Sequence, residues 1–304
     1  MASSLPNNQF FEIGGITLQV MSDLPIHDTT FNSAINQFQT NRETGDRVYI
    51  SHYFFKGRFS IPDTARLVYN TPPWEIYDDG QKWYYNHILP PGFQNDDAPL
   101  VVFLHDYSRA DVYHTSSASY TAGDNDAVSL LTSDQVLLAQ CLANRSGLMI
   151  HGSGLSISEQ GLAFIGQSTA GKSTITRLLT SRISQQSPLV LSDERIILRK
   201  IADEWKLAGT WIHSQVEDTS PVIVPLRRLF LLEQSDENTL IHITNRKEII
   251  HRILPRIIKP HITKVWWNQT LNTLEHLVDV IPVYELRFTL SGEIVPLIIQ
   301  NLED

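Results

Sequence analysis

The residues with the clearest chemical potential lie between positions 166 and 174. Gly166, Gln167, Ser168, Thr169, Ala170, Gly171, Lys172, Ser173 and Thr174 fit the pattern G-x-x-x-x-G-K-[ST] at every fixed position. Glycines at the two ends let a backbone curl until successive N–H groups point inward at phosphate oxygens. A helix that starts there adds the positive end of its dipole. Lys172 then supplies a mobile cation for the outer phosphates, and the Ser173 hydroxyl suits a Mg²⁺ ligand, since Mg²⁺ takes few protein groups beside phosphate.

Two further residues could do proton or metal chemistry near such a loop. Asp193 ends an apolar run, Pro188-Leu-Val-Leu191, and a carboxylate there can hold Mg²⁺ or take the proton of an attacking hydroxyl. Glu194 is a second candidate metal ligand, but it faces away from Asp193 if the strand continues, because alternate side chains point to opposite faces. His151 follows the apolar run Leu148-Met-Ile150 and sits in a Gly-Ser-Gly setting that allows close approach of a ligand. A histidine beside an aspartate can orient it or share its proton. A second polar cluster, His105, Asp106, Asp111 and His114, has metal-ligand residue types, but its spacing matches no ligand pattern and reads as a polar loop.

These residues need elements to hold them. Gly161-Leu-Ala-Phe-Ile165 reads as a strand entering the loop, and Thr174 to Arg182 carries Ile175, Leu178 and Leu179 at helical spacing. Downstream, residues 195–201 and 205–208 flank the turn 202–204 as a hairpin. Val222-Ile-Val224 and Arg228 to Leu232 read as two strands, and Pro282 to Phe288 as a late one. Helices are expected over 245–254, 262–280 and 293–303, with Trp266 and Trp267 as packing residues.

The first part of the chain has a different rhythm. Residues 9–20 read as strands about a Gly14-Gly15 turn, 48–55 and 100–104 as further strands, and 74–85 as an aromatic hairpin turning at Asp78-Asp79-Gly80. Residues 21–45 and 115–128 read as polar connections, and Thr132-Ser-Asp-Gln135 opens a helix in capping-box fashion. The boundary is placed inside or just before that helix. This gives a β-rich substrate-recognition region over 1–128 and a nucleotide-binding catalytic domain over 129–304.

The chain's 304 residues accommodate about two domains. A formal net charge of -9 and the lack of any Lys/Arg run argue against nucleic acid as a partner. Cys141 is the only cysteine, so intrachain disulfides and cysteine metal sites are excluded and a reducing, cytoplasmic setting is expected. No signal peptide and no membrane partner are expected, and a homo-oligomer stays open.

The run His151-Gly-Ser-Gly, then Phe164 to Thr174, then Leu191-Ser-Asp-Glu194 resembles the C-terminal catalytic domain of HPr kinase/phosphorylase in order and spacing, over about 148–200. The resemblance implies an α/β fold: a phosphate-loop kinase core of the HPr kinase/phosphoenolpyruvate carboxykinase type, beside the β-rich N-terminal domain. It implies ATP and Mg²⁺ as cofactors and phosphoryl transfer to a serine hydroxyl. Asp193 and His151 would be the acid/base pair, Lys172 the phosphate clamp, and Ser173 with Asp193 and Glu194 the metal ligands. Two departures separate this chain from the bifunctional enzymes: Asp193-Glu194 stands where two aspartates are usual, and the downstream Arg-Gly-Leu-Gly signature is absent. The opening Phe11-Glu-Ile-Gly-Gly15 looks more like kinase homologues of peptide-modifying systems, including those that phosphorylate a serine of lasso-peptide precursors. The acceptor is thus expected to be a peptide or protein serine, with a sugar or inositol kinase, or a nucleotide-binding regulator without transfer, as alternatives. Trp74, Trp83, Tyr84 and Tyr85 of the aromatic hairpin offer a platform for an extended peptide, or else a core.

Overall fold

In the computed structural model the described residues are 5–41, 45–54, 59–88, 99–129, 133–167, 169–183, 188–212, 219–261, 263–289 and 293–303. Contacts divide the chain into two compact units, Met1–Cys141 and Leu142–Asp304.

The first unit is built on one mixed sheet of eight strands: β1 (Asn7–Ile13), β2 (Ile16–Ser22), β3 (Arg47–Phe54), β4 (Arg66–Thr71), β5 (Trp74–Asp78), β6 (Lys82–His87), β7 (Leu100–Leu104) and β8 (Arg109–His114). Their order across the sheet is β1-β2-β3-β8-β7-β6-β5-β4. β3 lies parallel to β2 and β8, and the other pairs are antiparallel. Short helices α1 (Ser33–Asn36) and α2 (Ala118–Ala122) follow β2 and β8, so a helical turn interrupts each stretch that reads as polar connection. The helix α3 (Ser133–Ala143) runs across the boundary between the units, with Leu137, Leu138, Cys141 and Leu142 all buried. Thr132, which the capping box needs, lies outside the described residues.

The aromatic hairpin forms as β5 and β6, with Ile76 opposite Tyr85. Its side chains pack rather than present themselves: Trp74, Tyr84 and Tyr85 are 7%, 4% and 0% exposed. Trp83 stacks on His105 at 4.4 Å. Both strands have neighbours on either side, so neither offers an edge to an incoming peptide. The hydrophobic effect claims these rings for the core of the unit.

The second unit continues with β9 (Gly147–Ile157), β10 (Gln160–Ile165), α4 (Lys172–Arg182), β11 (Leu189–Ser192), β12 (Arg195–Ile201), β13 (Glu204–Ala208), β14 (Ile223–Gln234), β15 (Thr239–His242), α5 (Arg246–Ile253), a 3-10 turn (Leu254–Arg256), α6 (Lys264–Val280), β16 (Val283–Phe288) and α7 (Ile294–Glu303). It is a mixed sheet of order β10-β9-β12-β13-β14-β16-β15, with β11 on β9 and β10 also paired to β14. Two long strands change partners part-way. β9 pairs with β12 over its first half and with β10 and β11 over its second. β14 pairs with β13 up to Pro225, then runs parallel to β10 and β16. The two runs at 222–224 and 228–232 are therefore one strand. Pro225, which cannot donate to a ladder, sits where the partner changes.

One apolar cluster joins β9, β12, β13 and β14 to α5 and α6, with Trp266 buried and Trp267 packed against it. A second joins β10, α4, β16 and α7. No helix among the described residues is long and apolar enough to cross a membrane.

Candidate functional site

β10 ends at Ile165, the chain turns through the glycine loop, and α4 begins at Lys172. Gly171 is the residue before the helix, with φ +96°. A side chain there would meet the Phe288 ring at 2.6 Å, so both the backbone and the packing demand glycine. The loop is tied down by two carbonyl contacts. Ala170 N donates to Gln167 O at 3.1 Å, and Gln234 Nε2 at the end of β14 donates to Thr169 O at 2.6 Å. Ser168 lies outside the described residues.

Lys172 is 7% exposed, and its ammonium donates to Gln167 O at 3.1 Å, curled back over the loop it follows. Burial pushes its pKa down, and the charges of Arg195 and Arg256 push the same way, while Glu194 and Asp193 oppose them. These four groups are therefore within electrostatic reach of the lysine. Ser173 and Thr174 are half-buried at the first turn of α4.

Register explains the convergence. Ile165, the last residue of β10, lies opposite Gly152, and Arg195, the first of β12, lies opposite His151. The end of β11 is held by Ser220 N donating to Leu191 O at 3.0 Å, which fixes where the chain bends into Asp193 and Glu194. The chain bends there rather than continuing as a strand, so the condition under which Glu194 would face away from Asp193 is not met. The Glu194 carboxylate lies 3.3 Å from His151 Nδ1 and 3.3 Å from Arg195 Nη1. Asp193 is half-buried, with its Oδ1 shielded from solvent.

His151 differs from the sequence reading in two ways. It does not follow a strand but lies within β9, which runs on to Ile157. The glycine beside it serves packing rather than ligand access, for a Cβ on Gly152 would lie 2.9 Å from Phe164 O across the ladder. Its Nδ1 contacts the Arg195 guanidinium and, at 3.2 Å, the Glu194 carbonyl. Burial lowers the pKa of His151, and the nearby Lys172 and Arg195 lower it further against the opposing pull of Glu194. At neutral pH this histidine is an uncharged hydrogen-bonding group.

The structure thus brings Lys172, Asp193, Glu194 and His151 to one end of the sheet, beside the loop and the start of α4. The other polar cluster is dispersed. His105 pairs with Asp78 at 2.7 Å, Asp111 with Arg109 at 2.9 Å, and His114 with His52 at 3.0 Å. Asp111 and His114 belong to strand β8 rather than a loop.

No family model matches the chain, and no curated protein does. Among solved structures, part of the chain is similar to the HPr(Ser) kinase/phosphatase from Coxiella burnetii. That similarity has 12% identity and a TM-score of 0.30, covering 51% of this chain and 99% of the other. At that level it decides nothing about this chain's chemistry, which has to be argued from its own residues.

Among the described residues, no three His, Cys, Asp or Glu side chains gather closely enough to hold a metal. The oxygen donors beside the loop (the Ser173 hydroxyl, Asp193 and Glu194) are nevertheless of the kind a hard cation takes when phosphate completes its shell. Beside the loop opens a cavity of ≈ 610 Å³, lined by the loop residues Gly166, Gln167, Thr169 and Ala170 together with Gln234, Arg252 and Arg256. Sequence reasoning missed Arg195, Arg256 and Gln234. Arg195 had a local signal, adjacency to the two acids. The other two reach the loop only through the pairing of β14 and the path of the 3-10 turn.

Proposed function

We propose that the second unit binds ATP at the glycine loop and transfers its terminal phosphate to a hydroxyl. The observation that carries this reading is the convergence on Lys172: a left-handed Gly171 opening α4, two carboxylates and an uncharged histidine, all at one sheet end. In this reading the loop amides and Lys172 hold the β- and γ-phosphates. Ser173, Asp193 and Glu194 would hold Mg²⁺, which when bound neutralises phosphate charge. Asp193 takes the proton of the acceptor hydroxyl. The acceptor oxygen forms its bond to the γ-phosphorus while the bond to the β,γ-bridging oxygen breaks, its electron pair leaving with ADP. His151, held by Arg195 and Glu194, orients the reacting groups and carries no charge of its own.

The acceptor is proposed to be the serine of a peptide or protein, a choice that rests on the family likeness of the sequence alone. The buried hairpin aromatics lend it no support. The test of the core reading is Lys172→Ala. Calorimetry should show a large loss of ATP affinity, and labelled ATP should show transfer to serine peptides by the native protein only. Unchanged affinity and turnover in the variant would remove the reading. Label on small polyols and on no peptide would replace the acceptor and keep the core.

A further inference from the structure

Two arginines line the cavity, and they are held very differently. Arg252, in α5, is committed to its own unit: it binds the Glu285 carboxylate and lies 3.6 Å from Glu248 and 3.9 Å from Glu233. Arg256 has no such anchor. Among the described residues, no carboxylate or carbonyl accepts from it, although it is half-buried and lines the cavity with Gly166 and Gln167. Its backbone is nonetheless fixed. The 3-10 turn ends at Arg256, Ile257 forms an antiparallel bridge with Ile150, and Ile258 N donates to Met149 O at 2.8 Å. Antiparallel pairing at Ile257 and Ile150 sets the preceding residue, Arg256, beside the following one, His151. A cation with a rigid base and no internal partner is therefore delivered beside His151, part-way along β9, within electrostatic reach of Lys172.

Leaving a half-buried guanidinium without an acceptor has a cost, which a bound anion removes. The anion that the neighbouring loop is proposed to hold is a phosphate chain, and this inference rests on that reading. We propose that Arg256 binds the γ-phosphoryl oxygens of ATP and binds them more strongly as transfer proceeds, acting as a catalytic residue supplied by the α5–α6 connection. During transfer the phosphoryl group spreads its charge over three equatorial oxygens, and a guanidinium fork matches such a planar target. Arg256 takes no proton and forms no covalent bond. It compensates charge on the group that leaves ADP for the acceptor oxygen.

The test compares binding of ATP with binding of ADP plus magnesium and aluminium fluoride, a planar mimic of the group in flight, by calorimetry on the full chain. An interaction realised mainly in the transition state leaves ground-state affinity almost intact and weakens the mimic. Native protein should bind the mimic more tightly than ATP. Arg256→Ala should keep ATP affinity within about threefold while losing roughly 10²–10³-fold for the mimic and for turnover. Arg256→Gln, of similar length, should reproduce this and serves if the alanine variant melts early. If the native chain binds neither ATP nor ADP, the reading of the loop itself fails and this inference with it. If the native chain binds and discriminates but both Arg256 variants discriminate equally well, the inference fails alone.

Discussion

His52 and His114 give the first unit a defined acid limit. Both are buried, at 0% and 3% exposure, in a nest that includes the rings of Phe54 and Tyr120. His52 Nε2 lies 2.8 Å from Val128 O, so it must carry the proton and donate. Its Nδ1 then accepts from His114 Nε2–H at 3.0 Å. Burial lowers the His52 pKa to about 4, against a smaller opposing effect of the Val128 hydrogen bond. Burial, with help from His52, lowers that of His114 to about 3. Both folded values lie below the unfolded value of about 6.5, so the neutral forms belong to the fold. Their contribution is complete above about pH 6.5 and is lost as pH falls toward the folded values. At about pH 4.5 each histidine has withdrawn roughly 2.6 kcal/mol, together about 5 kcal/mol, a large share of what holds a typical domain together. The expected result is a full chain whose first unit is stable from about pH 7 to pH 6 and loses cooperative unfolding between about pH 5 and pH 4. Nitrogen-detected NMR of the imidazoles, followed with urea titrations at each pH, reads both terms. Either ring titrating near its unperturbed pKa in a folded protein would refute the argument. So would unfolding free energies that stay constant down to pH 4.5.

Two further outcomes follow from the site. Gly171→Ala forces a side chain into a left-handed backbone at φ +96° and against the Phe288 ring, so it should cost about 1–2 kcal/mol from the backbone alone. Thermal melts should show the loss, together with weakened ATP binding; a melt identical to native would show that the loop relaxes freely. Asp193→Asn keeps the shape and removes the base, so a folded, ATP-binding protein with transfer down roughly 10²–10⁴-fold is expected, and His151→Ala should fall between it and native. Full transfer by Asp193→Asn, read with labelled ATP, would give that carboxylate another role.

What the sequence made legible was local. The strand entering the glycine loop and the helix leaving it form where they are read, as β10 and α4, because the apolar run and the helical spacing act within a few residues. The same holds for the hairpins at 74–87 and 195–208 and for α5, capped by Asn245. The differences arise where packing at a distance overrides local pattern. Gly152 and Gly154 lie inside β9, where an added Cβ would come within 2.9 Å of Phe164 O and 3.1 Å of the Ile196 side chain respectively. Pro225 lies inside β14 because a strand that changes partners leaves one ladder position undemanding. Alternation predicted opposite faces for Asp193 and Glu194, but alternation holds only while a strand continues, and this one bends. Arg256 could not be found from spacing at all. Its place depends on a bridge between residues 107 positions apart, Ile150 and Ile257.

That bridge also settles a question of charge. The chain as a whole carries a net charge of -9, which should repel a phosphate chain. Around the loop the balance is reversed: Lys172, Arg195 and Arg256 stand against Asp193 and Glu194, with His151 held neutral by burial and by its cationic neighbours. The start of α4 adds the positive end of its dipole. Charges several Debye lengths away are screened in physiological salt, whereas those lining a half-buried mouth are not. In the proposed reading, anion binding at the loop is governed by this local set and not by the chain's overall sign. Within that set Arg195 is spent on Glu194 and His151. Lys172 is turned back on Gln167 O, leaving Arg256 as the cation among the described site residues with no internal acceptor. A phosphate chain entering the loop would have to draw Lys172 off its carbonyl, whereas Arg256 needs no contact broken.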